Sequence, residues 1–174
     1  MKKIEWKVIK NSEISERDLV HIAYIKDQHW THGVKSQVDW MKNNLLPDDI
    51  HLLGKIKGDL EPCAYLSLVN IKVTCDNDET NFIGLGNVCV SKNDEHFGIG
   101  SSLVLQANNY IMSSAKRGLL LCKDPLISFY KKNGWEKLNY TKALISNCQY
   151  YNNIMTFPTW RGKTINEIII DKNF

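Results

Sequence analysis

Hydrophobic and polar positions alternate over several stretches of this chain, a pattern typical of half-buried strands. In the first stretch, Ile4, Trp6 and Val8 share one face. In the stretch 63–75, the alternation shifts phase near Asn70, which predicts a bulge or bend. In the stretch 82–90, the glycines at 84 and 86 predict a bulge or the close approach of a ligand. The predicted strands cover residues 3–10, 49–57, 63–75 and 82–90.

Helical spacing of apolar residues predicts three longer helices. Ser15 begins the first as an N-cap, and its buried stripe contains Leu19, Ile22, Ala23 and Lys26. The second is predicted to start near residue 36 and to stop at residue 47, a proline. The third follows Gly98, with its last turn at residues 116 and 117 and with residue 118, a glycine, as its cap.

The remaining segments are shorter and less regular. Residues 119–122 read as a buried strand, Asp124 as the N-cap of a helix over 125–133, and residues 135–138 and 150–157 as strands. Residues 76–81 are predicted to be a hairpin loop and residues 158–163 a turn. The isoleucine-rich segment 164–172 fits a helix or an edge strand, and a homodimer formed through it is a hypothesis.

Composition and charge narrow the class of protein. The chain has 174 residues, 43% of them hydrophobic, which predicts a single domain over residues 1–174. A net charge of +3 argues against a nucleic-acid partner. No apolar run reaches membrane-spanning length and no signal peptide is evident, so we expect a cytoplasmic protein with no membrane partner. Five cysteines without a Cys-x-x-Cys pair argue against disulfides or structural zinc.

The segment from Val88 to Leu103 carries the strongest chemical signal. A β-branched run leads through polar residues to Gly98-Ile99-Gly100 and then into a helix. Backbone amides at a glycine turn before a helix N-terminus form a site for an anion such as a phosphate. A lone Gly-x-Gly is more often an ordinary turn, so this signal needs a second motif.

The second motif is Phe129-Tyr130-Lys131-Lys132-Asn133-Gly134-Trp135. Together with Glu95-His96-Phe97-Gly98-Ile99-Gly100, it resembles the GNAT superfamily, the GCN5-related acetyl-CoA-dependent N-acetyltransferases, with some likeness to the aminoglycoside-modifying branch. In that family the loop reads Gln/Arg-x-x-Gly-x-Gly/Ala. The resemblance is clear over residues 82–138. Glu95 departs from this pattern, since the family has Gln or Arg there. A carboxylate beside a pyrophosphate is unfavourable, so either Glu95 points to solvent or the affinity for the cofactor is reduced.

The resemblance implies an α/β (α+β) fold: a mixed, mostly antiparallel central sheet flanked by helices, with a splayed strand pair that takes acyl-CoA. It implies acetyl-CoA as co-substrate, no metal, and Tyr130 as the acid that protonates the leaving thiolate. The alternative is that Tyr130 has no catalytic role and is only an aromatic residue of the core. The implied acetyl-CoA-binding residues are Val88, Cys89, Val90, Glu95, His96, Phe97, Gly98, Ile99, Gly100, Ser101, Ser102 and Phe129.

The loop between the first two helices is implied to line the acceptor site. Trp30, His32, Asp39 and Trp40 are its candidates for substrate contact, with core packing and solvated imidazoles as the equally weighted alternative. His29 and His32 are spaced like a metal pair, but no third ligand lies nearby in the sequence. The general base is not assigned. The options are His32, Asp39, Glu79, the terminal carboxylate of Phe174, or a chain of water molecules in place of a residue.

Three functions fit these residues. The first is an N-acetyltransferase that acts on the primary amine of a small molecule. The second is a protein or peptide N-acetyltransferase. The third is a non-catalytic acyl-CoA-binding regulatory domain, which Glu95 favours and Tyr130 disfavours.

Overall fold

The computed structural model describes residues 3–160 and 164–174. The chain divides into two compact units. Among the described residues, the first unit takes the chain up to Val69 together with Gly86–Ala107, and the second takes Asn70–Leu85 and Asn108–Phe174. No helix among these residues has the length and apolar character needed to cross a bilayer.

The first unit contains an antiparallel arrangement of three strands, β1 (Ile4–Lys10), β2 (Ile50–Ile56) and the first half of β3 (Ala64–Cys75). Trp6 of β1 lies opposite Gly54 of β2, where any Cβ would come within 2.4 Å of the indole ring. Gly54 is therefore required by the close approach of Trp6.

Two helices of the first unit lie between β1 and β2 in the chain. Helix α1 (Glu16–Asp27) begins where the Ser15 hydroxyl accepts a hydrogen bond from the Asp18 amide at 3.1 Å, which confirms the predicted N-cap. Helix α2 (Val34–Asn44) starts two residues before its predicted start at residue 36, because Gly33 with φ +85° turns the chain directly into it.

The second unit is built on a mixed, mostly antiparallel sheet. The strand neighbours run β6-β9-β5-β4-β3-β10-β7-β8, and the β4–β5 and β7–β10 pairs are parallel. The strands that complete this order are β4 (Asp78–Val90), β5 (Arg117–Cys122), β6 (Glu136–Lys137), β7 (Tyr140–Ile145), β8 (Cys148–Gln149), β9 (Asn153–Phe157) and β10 (Ile165–Ile170). With helices α3 (Ile99–Ser113) and α4 (Ile127–Lys132), this confirms the predicted fold class.

The predicted hairpin loop and the predicted bulge at residue 84 or 86 both differ from the structure. The hairpin loop is only Asp76-Asn77, both at positive φ, so residues 78–81 already belong to β4. The irregular position in β4 is Asn87, with φ +55°, rather than residue 84 or 86. Gly84 is instead needed for packing, because a Cβ there would lie 2.7 Å from the Phe174 ring.

Two helix caps are also wrong. Helix α3 ends at Ser113, and Ala115 takes the left-handed conformation that residue 118 was expected to adopt. Gly118 lies inside β5, where Ile111 and Trp135 would each be 2.7 Å from an added Cβ. Asp124 makes no capping bond; its carboxylate accepts a hydrogen bond from Asn153 at 2.7 Å, and a short 3₁₀ turn precedes α4.

The C-terminal segment is a strand inside the sheet. β10 pairs with β3 on one side and β7 on the other, and Ile165, Ile168 and Ile170 are buried. It is therefore neither a helix nor an edge strand. The predicted strands 135–138 and 150–157 both form but are shorter, as β6 and β9. Part of the predicted turn 158–163 lies outside the described residues.

Candidate functional site

The end of β4 carries the residues expected to bind a ligand through their backbone. The β4–β5 ladder pairs Phe82 to Leu85 with β5, and β4 then continues to Val90. Asn87 interrupts the regular strand and donates a hydrogen bond to the Ser67 hydroxyl at 2.9 Å. A residue at positive φ within a strand locally breaks the ladder and re-aims the residues that follow it.

The loop after β4 has the geometry of an anion site. A 3₁₀ turn at Lys92–Asp94 is followed by His96 (φ +67°) and Gly98 (φ +77°). The Ser102 amide donates to the Gly98 carbonyl at 3.1 Å, which is the first hydrogen bond of α3. An α-helix presents its first backbone amides at this end, where its dipole is positive.

Gly98 leaves space in front of this loop. A Cβ built at Gly98 would meet no atom within 4 Å, whereas Ile99 and Leu103 are buried and fix the start of the helix. Phe97 is 57% exposed. The predicted acetyl-CoA-binding residues of this segment divide by burial: Cys89 and Ile99 are buried, Val88, Val90, Glu95, Gly100 and Ser102 are half-buried, and His96, Phe97, Gly98 and Ser101 are exposed.

His29 contacts the start of this loop, a role that was not predicted from the sequence. Its Nε2 lies 2.7 Å from the Val90 carbonyl oxygen and must donate its proton there, because a carbonyl only accepts. The neighbouring Gln28 side chain accepts a hydrogen bond from the Lys92 amide at 2.8 Å. The segment after α1 is thus hydrogen-bonded to the last residue of β4 and to the first residue of the turn that follows it.

The same histidine lies near the carboxylate of Glu95, the residue that departs from the family pattern. The Glu95 carboxylate lies 4.0 Å from the His29 Nε2, an ion pair when the imidazole is protonated. Its side chain is 39% exposed, so solvent screens the charge further. Glu95 is therefore directed towards His29, and its repulsion of an anion on the loop is reduced.

Tyr130 lies on α4 in the second unit and is 6% exposed. Its ring packs edge-to-face against Phe129, with 5.0 Å between centroids. Among the described residues, its hydroxyl has no hydrogen-bond partner. Burial raises the pKa of Tyr130 well above its usual range, and Cys122 adds to the rise. The phenol is therefore protonated and free to donate.

A short hydrogen-bonded chain holds the turn that follows Tyr130. The Trp135 indole N–H donates to the Asn108 side-chain oxygen at 2.9 Å. The amide group of Asn108 donates in turn to the Asn133 carbonyl oxygen, also at 2.9 Å. Trp135 is 1% exposed, so the segment after the helix is anchored in the core of the second unit.

The predicted acceptor residues lie together on the segment 27–40 but differ in environment. Trp30 is 39% exposed, and its carbonyl accepts from the Gln37 side chain at 2.6 Å. His32 is exposed. Asp39 is exposed and pairs with Lys35 at 2.8 Å, whereas Trp40 is half-buried.

Trp40 contacts a residue that the sequence analysis placed on the buried stripe of α1. The Lys26 Nζ lies 4.6 Å from the centroid of the Trp40 ring, and Lys26 is only 2% exposed. Burial lowers the pKa of Lys26 to about 8, an effect that Cys89 partly opposes. A lysine at an apolar position of a helix was the available signal for this residue.

Neutral polar groups surround this lysine. His51 is fully buried between the Tyr65 hydroxyl, 3.0 Å from its Nδ1, and the Asn11 side-chain oxygen, 2.9 Å from its Nε2. Burial, helped by Lys26, lowers the pKa of His51 to about 4. Burial raises the pKa of Cys89 to about 12 and that of Tyr65 above its usual range, so all three are uncharged at neutral pH.

Cysteines and possible metal ligands are the remaining candidates for a site. Among the described residues, no disulfide joins any of the five cysteines. Within residues 3–160 and 164–174, no cluster of three histidine, cysteine or acidic side chains could hold a metal ion.

Comparisons with known proteins identify the fold. No model of a protein family and no curated protein matches the chain. Solved structures do match. A GNAT-family N-acetyltransferase from Escherichia coli, YhbS, solved in complex with CoA, is 14% identical with a TM-score of 0.67, covering 97% of this chain and 90% of its own.

Two further structures agree. Escherichia coli ElaA is 20% identical and an acyl-CoA N-acyltransferase from Pseudomonas aeruginosa is 17% identical, each with a TM-score of 0.64 over 88% of this chain and 99% of its own. The resemblance suggested by the two sequence motifs is thus matched by the arrangement of strands and helices. This chain has the fold of the GCN5-related N-acetyltransferases.

Proposed function

We propose that this protein is an N-acetyltransferase that transfers the acetyl group of acetyl-CoA directly to the primary amine of a small molecule. The observation that carries the proposal is the loop that ends at Gly98, where left-handed backbone and open space precede the N-terminus of α3. An anion approaching that loop would meet backbone amides without intervening side chains. Solved N-acetyltransferase and N-acyltransferase structures have a similar fold.

In this proposal the loop binds the pyrophosphate of acetyl-CoA. Amides of residues 96–101 and the hydroxyls of Ser101 and Ser102 would hold it, while Phe129 would contact the co-substrate from α4. Backbone groups of Val88, Cys89 and Val90 would pair with the pantetheine arm and polarise the thioester carbonyl. Because the Val90 carbonyl already accepts from His29, any bond it makes to the co-substrate would be shared.

The chemical step needs no covalent enzyme intermediate. The neutral amine nitrogen attacks the thioester carbonyl carbon, the C–N bond forms, and the C–S bond breaks. Tyr130 would donate its hydroxyl proton to the departing sulfur, and the proton lost by the amine would restore Tyr130 through solvent. Support comes from its hydroxyl, which no described residue engages and which is therefore not sealed from solvent.

A matched pair of glycine substitutions tests the loop. Gly98→Ala and Gly58→Ala both force alanine into a left-handed conformation with no atom within 4 Å of the new Cβ. Each should lower the free energy of unfolding by about 1 kcal/mol. Only Gly98→Ala should weaken acetyl-CoA binding, by about tenfold or more in calorimetry, because its methyl group occupies space that the anion needs. Equal affinity in the two variants would remove the pyrophosphate from this loop.

A second pair tests the acid. Tyr130→Phe should lower kcat by about a hundredfold, within the usual range for a lost general acid, with little change in melting temperature or acetyl-CoA affinity. Tyr65→Phe is the control, because it breaks a hydrogen bond to His51 and should instead lower stability. Unchanged turnover in Tyr130→Phe would leave this residue with packing alone.

The acceptor is found by measuring acetyl-CoA-dependent thiol release with aminoglycosides, polyamines, amino acids and peptides. Turnover on one of the first three classes supports the proposal. Turnover on peptides alone would move the assignment to protein or peptide acetylation. Acetyl-CoA binding without turnover on any of them would favour a regulatory acyl-CoA-binding domain.

A further inference from the structure

Lys26 is a buried cation without a counter-charge. Its side chain packs in the last turn of α1 and is 2% exposed. Among the described residues its ammonium group has no carboxylate partner and no hydrogen bond; its contact is the face of Trp40, 4.6 Å away. Burial of an unpaired charge is strongly unfavourable, so a natural sequence keeps one mainly where a ligand or a reaction uses it.

The ammonium group also borders accessible space. Within the described residues, every side-chain nitrogen or oxygen that is sealed from solvent has a hydrogen-bond partner. Because the Lys26 Nζ has none, it is not fully sealed from solvent. An incoming acceptor could therefore supply the missing partner.

The groups that face Lys26 leave its charge uncompensated. Cys89 on β4 and His51 on β2 are both buried and uncharged at neutral pH. From α2, the nearest acidic candidate in the sequence, Asp39, is exposed and bound to Lys35. On α1 itself, Asp18 lies 3.4 Å from Lys7, where its side chain is 26% exposed.

The position of Lys26 connects it with the proposed reaction. Cys89, which is close enough to interact electrostatically with Lys26 when both are ionised, belongs to the part of β4 that would hold the thioester. Trp40, which it contacts, belongs to the segment implied to line the acceptor site. A pKa of about 8 leaves about nine in ten Lys26 side chains charged at pH 7, so attraction of an anion dominates over proton abstraction.

We propose that the acceptor amine carries an acidic group, a carboxylate or a phosphate, and that Lys26 binds this group. This inference rests on the proposed acetyltransferase function. It narrows the acceptor to amino acids and other compounds that carry both an amine and an acidic group. It disfavours polyamines and other acceptors whose only charges are positive.

The test compares acceptors that differ only in charge. 4-Aminobutyrate and its amide present the same amine with and without a carboxylate, and a matched aminoalkyl phosphonate distinguishes phosphate-type recognition. Each is assayed with wild type, Lys26→Met and Lys26→Arg, with KM and kcat separated. Dividing each variant's kcat/KM by that of wild type cancels the difference in intrinsic amine reactivity.

We expect wild type to prefer an acidic acceptor by at least about tenfold in kcat/KM, as for one charge-assisted hydrogen bond. Lys26→Met should lose that preference through a higher KM for the acids, with kcat and the amide kinetics little changed. Lys26→Arg should keep most of the preference because it keeps the charge.

Two results would overturn the inference while leaving the acetyltransferase in place. One is equal use of acids and amides by wild type. The other is a fall in kcat of Lys26→Met that is the same for every acceptor, which would make Lys26 a proton acceptor. If no acceptor turns over, the proposed transferase reaction fails, and the substrate inference fails with it; acetyl-CoA binding, measured separately, then decides between a binding domain and no acyl-CoA function.

Discussion

Replacement of Lys26 by methionine should stabilise the protein, although it removes a charged contact. Burial lowers the pKa of Lys26 from 10.5 to about 8, and the side chain is 2% exposed. At 1.36 kcal/mol per pKa unit, that difference corresponds to about 3 kcal/mol of destabilisation when both states are protonated. The Trp40 contact offsets part of this cost, up to about 2 kcal/mol for a desolvated pair, so Lys26→Met should gain about 1–3 kcal/mol at pH 7.

The pH dependence gives this prediction a second test. As pH rises through about 8, folded Lys26 loses its proton while the unfolded chain keeps it up to about 10.5. The unfolded state therefore binds more protons in this window, and wild-type stability recovers as pH increases. The advantage of Lys26→Met should shrink by about 2 kcal/mol between about pH 7 and about pH 9.5.

The assay is urea unfolding of wild type and Lys26→Met at several pH values. Lys57→Met is the matched control, because Lys57 is exposed in the same unit and its replacement should give no pH-dependent difference. Cys89 titrates in the unfolded chain of every variant, so its contribution cancels. Equal stability of wild type and Lys26→Met at pH 7, or an advantage that persists at high pH, would show that Lys26 has a counter-charge.

Three further substitutions test contacts described above. Because His51 stays neutral down to about pH 4 in the folded protein, wild type should lose up to about 3 kcal/mol between about pH 6.5 and pH 4, and His51→Gln should flatten that loss in urea titrations. Asn108→Ala should cost about 1–3 kcal/mol by stranding the Trp135 indole N–H, whereas an unchanged unfolding midpoint would contradict the anchoring role. Glu95→Gln should strengthen acetyl-CoA binding a fewfold at low salt in calorimetry, and weaker binding would show that the carboxylate assists the loop.

The sequence predicted those parts of the fold that depend on local patterns. Alternation located β1 to β4 to within a few residues, because strand periodicity depends only on which face is buried. Ser15 was found as a cap because its bond to Asp18 closes within one turn. The two motifs around Gly98 and Tyr130 led to the predicted fold, which the comparison structures share.

The wrong predictions concern residues whose conformation is set by distant partners. Gly118 reads locally as a helix cap, yet it is required because Ile111 and Trp135 pack against the strand there. Asp124 reads as a cap but bonds to Asn153, 29 positions later. His29 bonds to a carbonyl 61 positions away, a contact that no local spacing could predict.

The position of β10 has a consequence for the order in which the chain can fold during synthesis. This strand, near the end of the sequence, fills the place between β3 and β7. Until residue 170 has left the ribosome, β3 keeps an unpaired edge along Val73–Cys75. Unpaired edges of nascent sheets invite pairing with other chains. We therefore expect the second unit to need protection until β10 has been synthesised, after the first unit can already have folded.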